Sequence, residues 1–159
     1  MRMRLYEWFF RSAAAMLFLT AAAKLYSMTG YARILAKPDQ LLHVNNRLLM
    51  AVMAVIEGMV AIYLLRGKHE RTRAMALFWL SGNFMVYRLA HVALGLGYCV
   101  CMGTIGDNLP VSPKFLNAFL TALVLFWFFG SAYILWRDYD EREKVRFAAL
   151  LKAQEEAQA

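Results

Sequence analysis

The sequence predicts an all-α, polytopic membrane protein: a bundle of four transmembrane helices with both termini on the cytoplasmic side. Three observations predict it. The 159 residues are 61% hydrophobic and 18% charged, with a mean hydropathy of +0.43. An average soluble domain is roughly 45–50% apolar and about 25% charged. The apolar residues gather into four runs, each close to the roughly 20 residues that a helix rising 1.5 Å per residue needs to cross about 30 Å of hydrocarbon. Most basic residues fall in the connections on one side, which sets orientation. No strand-like alternation competes with these runs, and two cysteines exclude a small disulfide scaffold.

The first run, about Trp8 to Met28, is interrupted by Arg11 and Lys24. Its basic start, Met1-Arg2-Met3-Arg4, and its Ala21-Ala22-Ala23 resemble a secretory signal with a cleavage site. The apolar stretch is too long for that, and it is read as a retained helix. The second run is about Leu48 to Leu65, with Glu57 inside it. The third is about Ala74 to Gly97 and contains Arg88 and His91. The fourth starts at Pro113 and ends near Trp136. Ser112 can cap a free amide there, and proline at the first helical position lacks only an N–H that would be unpaired anyway. Residues 1–136 thus form the membrane domain. Residues 137–159 read as a charged cytoplasmic helical tail, frayed after about Lys152. Asp138/Arg142 and Asp140/Lys144 sit one turn apart in it and support it as ion pairs.

The net charge of +7 is a topology signal and not a nucleic-acid footprint. Arg2, Arg4 and Arg11, the connection with Arg66, Lys68, Arg71 and Arg73, and the tail with Arg137, Arg142, Lys144, Arg146 and Lys152 share one side of a four-span chain. The other side has Arg33, Lys37 and Arg47, and no basic residue from Tyr98 to Ser112. Trp8, Trp79, Trp136 and Tyr139 are expected at the inner interface, and Tyr26, Tyr31 and Tyr98 at the outer one, as an aromatic belt. Pro38 divides the longest connection, Thr29 to Arg47, and Gln40 to Val44 is expected to turn at the interface.

Cys99-Val100-Cys101 falls on the outer side, where disulfides form and persist. Cysteines this close can close only a small, strained ring, which is readily reduced. Such a bridge is a poor staple and a reasonable exchange centre. Gly95, Gly97, Gly103 and Gly106 around it supply backbone freedom for a tight loop. Two free thiols at a helix end are the plain alternative. A Cu(I) site from Cys99, Cys101 and Met102 is a third, since soft ligands suit that ion; it predicts copper in the purified protein, lost on Cys101→Ser. Four ligands for a structural zinc are not in view.

Ionisable residues inside the runs point to function, because charge at membrane depth is costly. Glu57 and Arg88 each lie nine residues from the outer end of their runs, about 14 Å down at 1.5 Å per residue, and are expected to pair. Lys24, four residues below its outer end, either snorkels or joins them. His91 stands one turn above Arg88 on the same face. This group either fixes helix packing or forms a polar pocket that binds a quinone head or passes protons. No facing histidine pair suits haem.

These residues resemble the MauE/DoxX-like redox-associated membrane proteins, over roughly residues 8 to 136. Ala22-Ala23-Lys24-Leu25 is similar to the family's small-residue-then-Lys-Leu signature, and Ile56-Glu57-Gly58 to its membrane glutamate. Cys99-Val100-Cys101-Met102-Gly103 is similar to its Cys-x-Cys-Phe-Gly element, with Met102 in place of the aromatic. Val111-Ser112 with Asn117 resembles the family's stretch on the C-terminal side of that element. The resemblance implies a membrane thiol–disulfide role in the bacterial inner membrane. Cys99 and Cys101 would cycle as the catalytic pair, with an exported, cysteine-containing redox protein as partner and a quinone or another redox carrier as electron acceptor. A non-catalytic subunit of a larger membrane complex is the alternative.

Overall fold

A computed structural model describes residues 2–29, 38–39, 41–95 and 112–158, with the backbone alone at 2–4, 113, 152 and 155–158. Four helices account for most of them: α1 (Arg2–Met28), α2 (Asn46–Arg66), α3 (Glu70–Ala93) and α4 (Pro113–Gln158). The described residues hold no strand beyond an isolated bridge between Pro38 and Asn45. α1, α2 and α4 are each long and apolar enough to cross a membrane. α3 is 24 residues long, about 36 Å at 1.5 Å per residue, but it carries more polar residues and falls short of the others in apolar content.

The helix limits differ from the apolar runs for local reasons. α3 starts at Glu70, four residues before the run expected at Ala74, because an acidic first turn suits a helix N-terminus even without apolar character. It stops at Ala93 and not Gly97. Gly95 takes φ +64°, the left-handed conformation in which glycine ends helices at little cost. α4 begins where Ser112 and Pro113 indicated. The Phe115 amide donates to Ser112 Oγ at 3.2 Å. The helix then continues through Trp136 to Gln158 without a break, past the fray expected near Lys152. The expected tail pairs form, Asp138–Arg142 at 2.8 Å and Asp140–Lys144 at 2.7 Å.

Each helix buries one stripe. In α1 it runs Phe10, Ala13, Leu17, Thr20, Lys24, Ser27; in α2 Met50, Ala54, Glu57, Ala61, Leu64. In α3 it includes Ala74, Leu77, Ser81 and His91, and in α4 Val124, Trp127, Ser131 and Ile134. Alternating steps of three and four are the 3.5-residue repeat that packs helices side by side at a shallow angle. α1 lies along α2 and α3 along α4, while α2 and α3 approach each other at fewer places. Alanine at 13, 14, 21, 54 and 61 lets the first pair come close, and Gly130 admits the ring of Phe9 against the α4 backbone.

The half of the bundle near the chain termini is filled by Phe10, Leu17, Leu64, Leu77, Trp127 and Ile134. At its rim Arg73 bonds Glu7 at 2.5 Å and lies 4.3 Å over the Phe10 ring, and Arg137 donates to the Tyr6 hydroxyl at 3.4 Å. The half nearer residues 38–45 is where the stripes turn polar.

Candidate functional site

The polar half holds two sets of bonds, one per helix pair. In the first, Lys24 Nζ on α1 donates to Glu57 Oε1 on α2 at 2.5 Å, and the Thr20 hydroxyl donates to Glu57 Oε2 at 3.1 Å. Both charged side chains are buried, at 6% and 2% exposure. Thr20 and Lys24 are four apart on one face, which places both opposite Glu57. In the second set, Arg88 Nη1 on α3 donates to the Asn117 carbonyl and side-chain oxygens at 3.2 and 3.1 Å, and to the Thr121 hydroxyl at 2.5 Å. Thr121 donates in turn to the Asn117 carbonyl at 2.7 Å.

The expected Glu57–Arg88 pair is therefore replaced by Glu57–Lys24. Equal depth brought Glu57 and Arg88 to one level, and they border the same small cavity of about 40 Å³ with Leu17, Phe84 and Trp127. Helix pairing decided the partner. α1 runs alongside α2, so the flexible Lys24 stem reaches Glu57 directly, and Arg88 turns to the oxygens of its own neighbour, α4. Lys24 bends inward in place of snorkelling; its ammonium also lies 5.7 Å from the centre of the Phe84 ring. Asn117 and Thr121 as Arg88 partners were missed. Their signal was present: they share a face with the buried stripe of α4, four residues apart.

His91 is buried at 6% exposure, and both of its ring nitrogens lack a hydrogen-bond partner among the described residues. Its ring lies 4.7 Å from that of Tyr87. Tyr87 donates to Asp39 Oδ2 at 2.5 Å. Asp39 was not singled out in the sequence, yet it organises the turn at Leu41–Val44 that leads into α2. Its Oδ1 accepts the amides of Leu41 and Leu42 at 3.0 and 2.8 Å, an Asp-centred turn. Its own amide donates to the Val44 carbonyl at 2.7 Å, and His43 takes φ 55° to complete the turn. Burial alone would raise the Asp39 carboxyl. The bonds from Tyr87, Leu42 and Leu41 and the nearby His91 outweigh it and hold the carboxyl below its ordinary value.

Of the expected site residues, the structure gathers Lys24 and Glu57 in one bonded set, and brings Arg88 to the wall of the same small cavity. His91 joins Tyr87 and Asp39 instead. Cys99 and Cys101, with Met102, Tyr31 and Tyr98, lie outside the described residues. Among the described residues no group of histidine, cysteine and carboxylate side chains could hold a metal ion. Comparison with known proteins finds no matching family model, no matching curated protein and no matching solved structure.

Proposed function

We propose that the chain is a four-span membrane thiol–disulfide protein, with Cys99 and Cys101 on the extracytoplasmic side and an exported, cysteine-containing redox protein as its partner. α3 completes the fourth crossing in this reading. Its Arg73, Ser81 and His91 are buried against the other helices, which is where polar residues of a membrane helix belong. The basic residues of the termini and of the α2–α3 connection support a cytoplasmic position for that end.

The carrying observation is the layer of ionisable groups built into the bundle. Lys24, Glu57 and Arg88 are costly at membrane depth, and such groups mark sites of charge or proton handling by default. They occupy the half of the bundle nearer residues 38–45, the end from which the α3–α4 connection leaves. Cys99 comes four residues after Gly95, the last residue described beyond α3. Closing a disulfide between Cys99 and Cys101 releases two electrons and two protons. A quinone or a second redox protein takes the electrons, and the polar half of the bundle gives the protons a path other than lipid. The similarity of the Cys-x-Cys-x-Gly element to MauE/DoxX-like proteins points the same way.

Replacing both cysteines, Cys99→Ser with Cys101→Ser, should leave the helical bundle intact and stop disulfide formation in the partner, read by non-reducing mass spectrometry. Normal maturation of the partner in that strain overturns the reading.

A second reading is favoured by one feature. α4 carries exposed Val145, Phe147, Leu150 and Leu151 C-terminal to Trp136, where its apolar run ends in the sequence, and this suits a non-catalytic subunit docked in a larger membrane complex. A stoichiometric complex that survives loss of both cysteines would decide for it.

A further inference from the structure

A second and larger cavity, about 340 Å³, lies in the seam between α2 and α3. Lys24 and Phe84 border it toward the bundle centre, Met53 and Val86 form its sides, and Asp39 and Tyr87 border it at the turn. Leu41 and Leu42, set by the Asp39-centred turn, cover it. Val86 is 67% exposed on the bundle surface, so this wall faces the surroundings of the helices and not the core. Along the seam α2 and α3 approach each other at fewer places than the helices of the α1–α2 and α3–α4 pairs do.

We propose that this cavity binds a lipid-soluble molecule with a neutral carbonyl head, which enters sideways from the bilayer between α2 and α3. This goes beyond the thiol reading and does not depend on it. The size falls at the lower end of small-molecule sites, and such sites combine apolar walls with a few polar groups. Lys24 supplies the donor. An ammonium carries three N–H groups, and Glu57 engages one of them. The Lys24–Glu57 pair is neutral as a unit, and the Asp39 carboxylate borders the same cavity at the turn. An anionic head would meet that carboxylate without a spare positive charge to offset it. A neutral acceptor meets neither difficulty, and its apolar body lies against Phe84, Met53 and Val86. Tyr87 bonding to Asp39 latches the cover to α3.

A quinone ring and the ester of an acylglycerol both present this chemistry, and the test separates them. The full chain in lipid nanodiscs is titrated with a short-chain benzoquinone and, separately, with dioctanoylglycerol. Saturable binding of at least one probe, one per chain, is expected. Saturation by the quinone alone assigns the ring, by the acylglycerol alone the lipid, and by both the shared carbonyl. Met53→Trp, which fills the cavity, should weaken binding at least tenfold. Leu89→Trp, exposed on the same helix as Val86 and outside the cavity lining, should not. The double replacement Lys24→Met with Glu57→Met removes the donor without stranding a charge, and should also cost at least tenfold. If neither probe saturates, if Met53→Trp binds like Leu89→Trp, or if the double variant keeps full affinity, the proposal is overturned. Binding is expected unchanged in the Cys99→Ser/Cys101→Ser protein, so failure of the thiol chemistry and failure of this site are told apart.

Discussion

The half of the bundle near the chain termini and the half near residues 38–45 share one spacing and hold opposite chemistry. Along α1 the buried stripe passes from Phe10, Ala13 and Leu17 to Thr20, Lys24 and Ser27 without changing register. Along α3 the inward face passes from buried Leu77 and Leu80 to half-buried Arg88 and buried His91. The first half is held by packing, and in lipid that means close contact more than water exclusion. The second half is held by side-chain bonds, because an unpaired polar group there costs its desolvation, a cost that His91 alone of this group carries at both ring nitrogens among the described residues. Within the polar half a further contrast appears. Glu57 has an opposite charge for a partner, whereas Arg88 rests on neutral oxygens of Asn117 and Thr121. For Glu57 and Arg88 the pairing is local: each is satisfied by the helix it packs along, not by the other at its depth.

The largest effect is expected where a single change strands a buried charge. Lys24→Met leaves the Glu57 carboxylate without its ammonium and should destabilise the fold by about 3–5 kcal/mol, the usual cost of breaking a buried pair. The double change Lys24→Met with Glu57→Met should recover most of that loss, since apolar replacement of a whole buried pair is often neutral or stabilising. Unfolding in mixed micelles at increasing denaturing detergent checks both. Equal loss in the single and double variants would mean that the charge itself, and not its pairing, holds α1 to α2.

This contrast also shows how much could be read from the chain. Apolar runs located all four helices, three of them long and apolar enough to cross a membrane, because crossing hydrocarbon leaves a one-dimensional signature that needs no partner. The Ser112-Pro113 start of α4 was equally local. The 3.5-residue spacing was present in the sequence and would have paired the stripes, had it been traced through Lys24 and Glu57 together with their apolar neighbours. Depth was legible for Glu57 and Arg88, but depth is one coordinate, and the partner depends on which helices adjoin. The Asp39–Tyr87 bond joins residues 48 positions apart, and nothing in either local stretch announces it. The turn at Asp39 did have a signal, an aspartate after Pro38.

A smaller loss is expected on the other side of the polar half. Arg88→Met removes bonds to neutral oxygens and leaves Asn117 and Thr121 with each other, so no buried charge is orphaned. About 1–3 kcal/mol is expected, the range for hydrogen bonds made by a charged group. The same detergent titration reads it. A loss as large as that of Lys24→Met would show that Arg88 also balances Glu57 across the small cavity they share, and would bring the two sets together as one network.

The smallest effect is at the turn that covers the seam. Tyr87→Phe removes one bond to Asp39, about 0.5–1.5 kcal/mol for a typical hydrogen bond, and leaves the two backbone bonds to Leu41 and Leu42 in place. Its sharper consequence is in pH. The folded Asp39 carboxyl titrates below its ordinary value, so its stabilisation of the turn is complete above the ordinary carboxylate range and is lost as pH falls through the lowered value. Removing the Tyr87 hydroxyl takes away a bond that lowers this carboxyl, so in Tyr87→Phe the loss should begin at a higher pH than in the parent protein. Hydrogen exchange at the Leu41 and Leu42 amides, monitored as pH is lowered, reports the turn opening directly. If the two proteins lose protection at the same pH, Tyr87 contributes to packing beside His91 and not to the charge of Asp39, and the latch over the seam is set by the backbone of the turn alone.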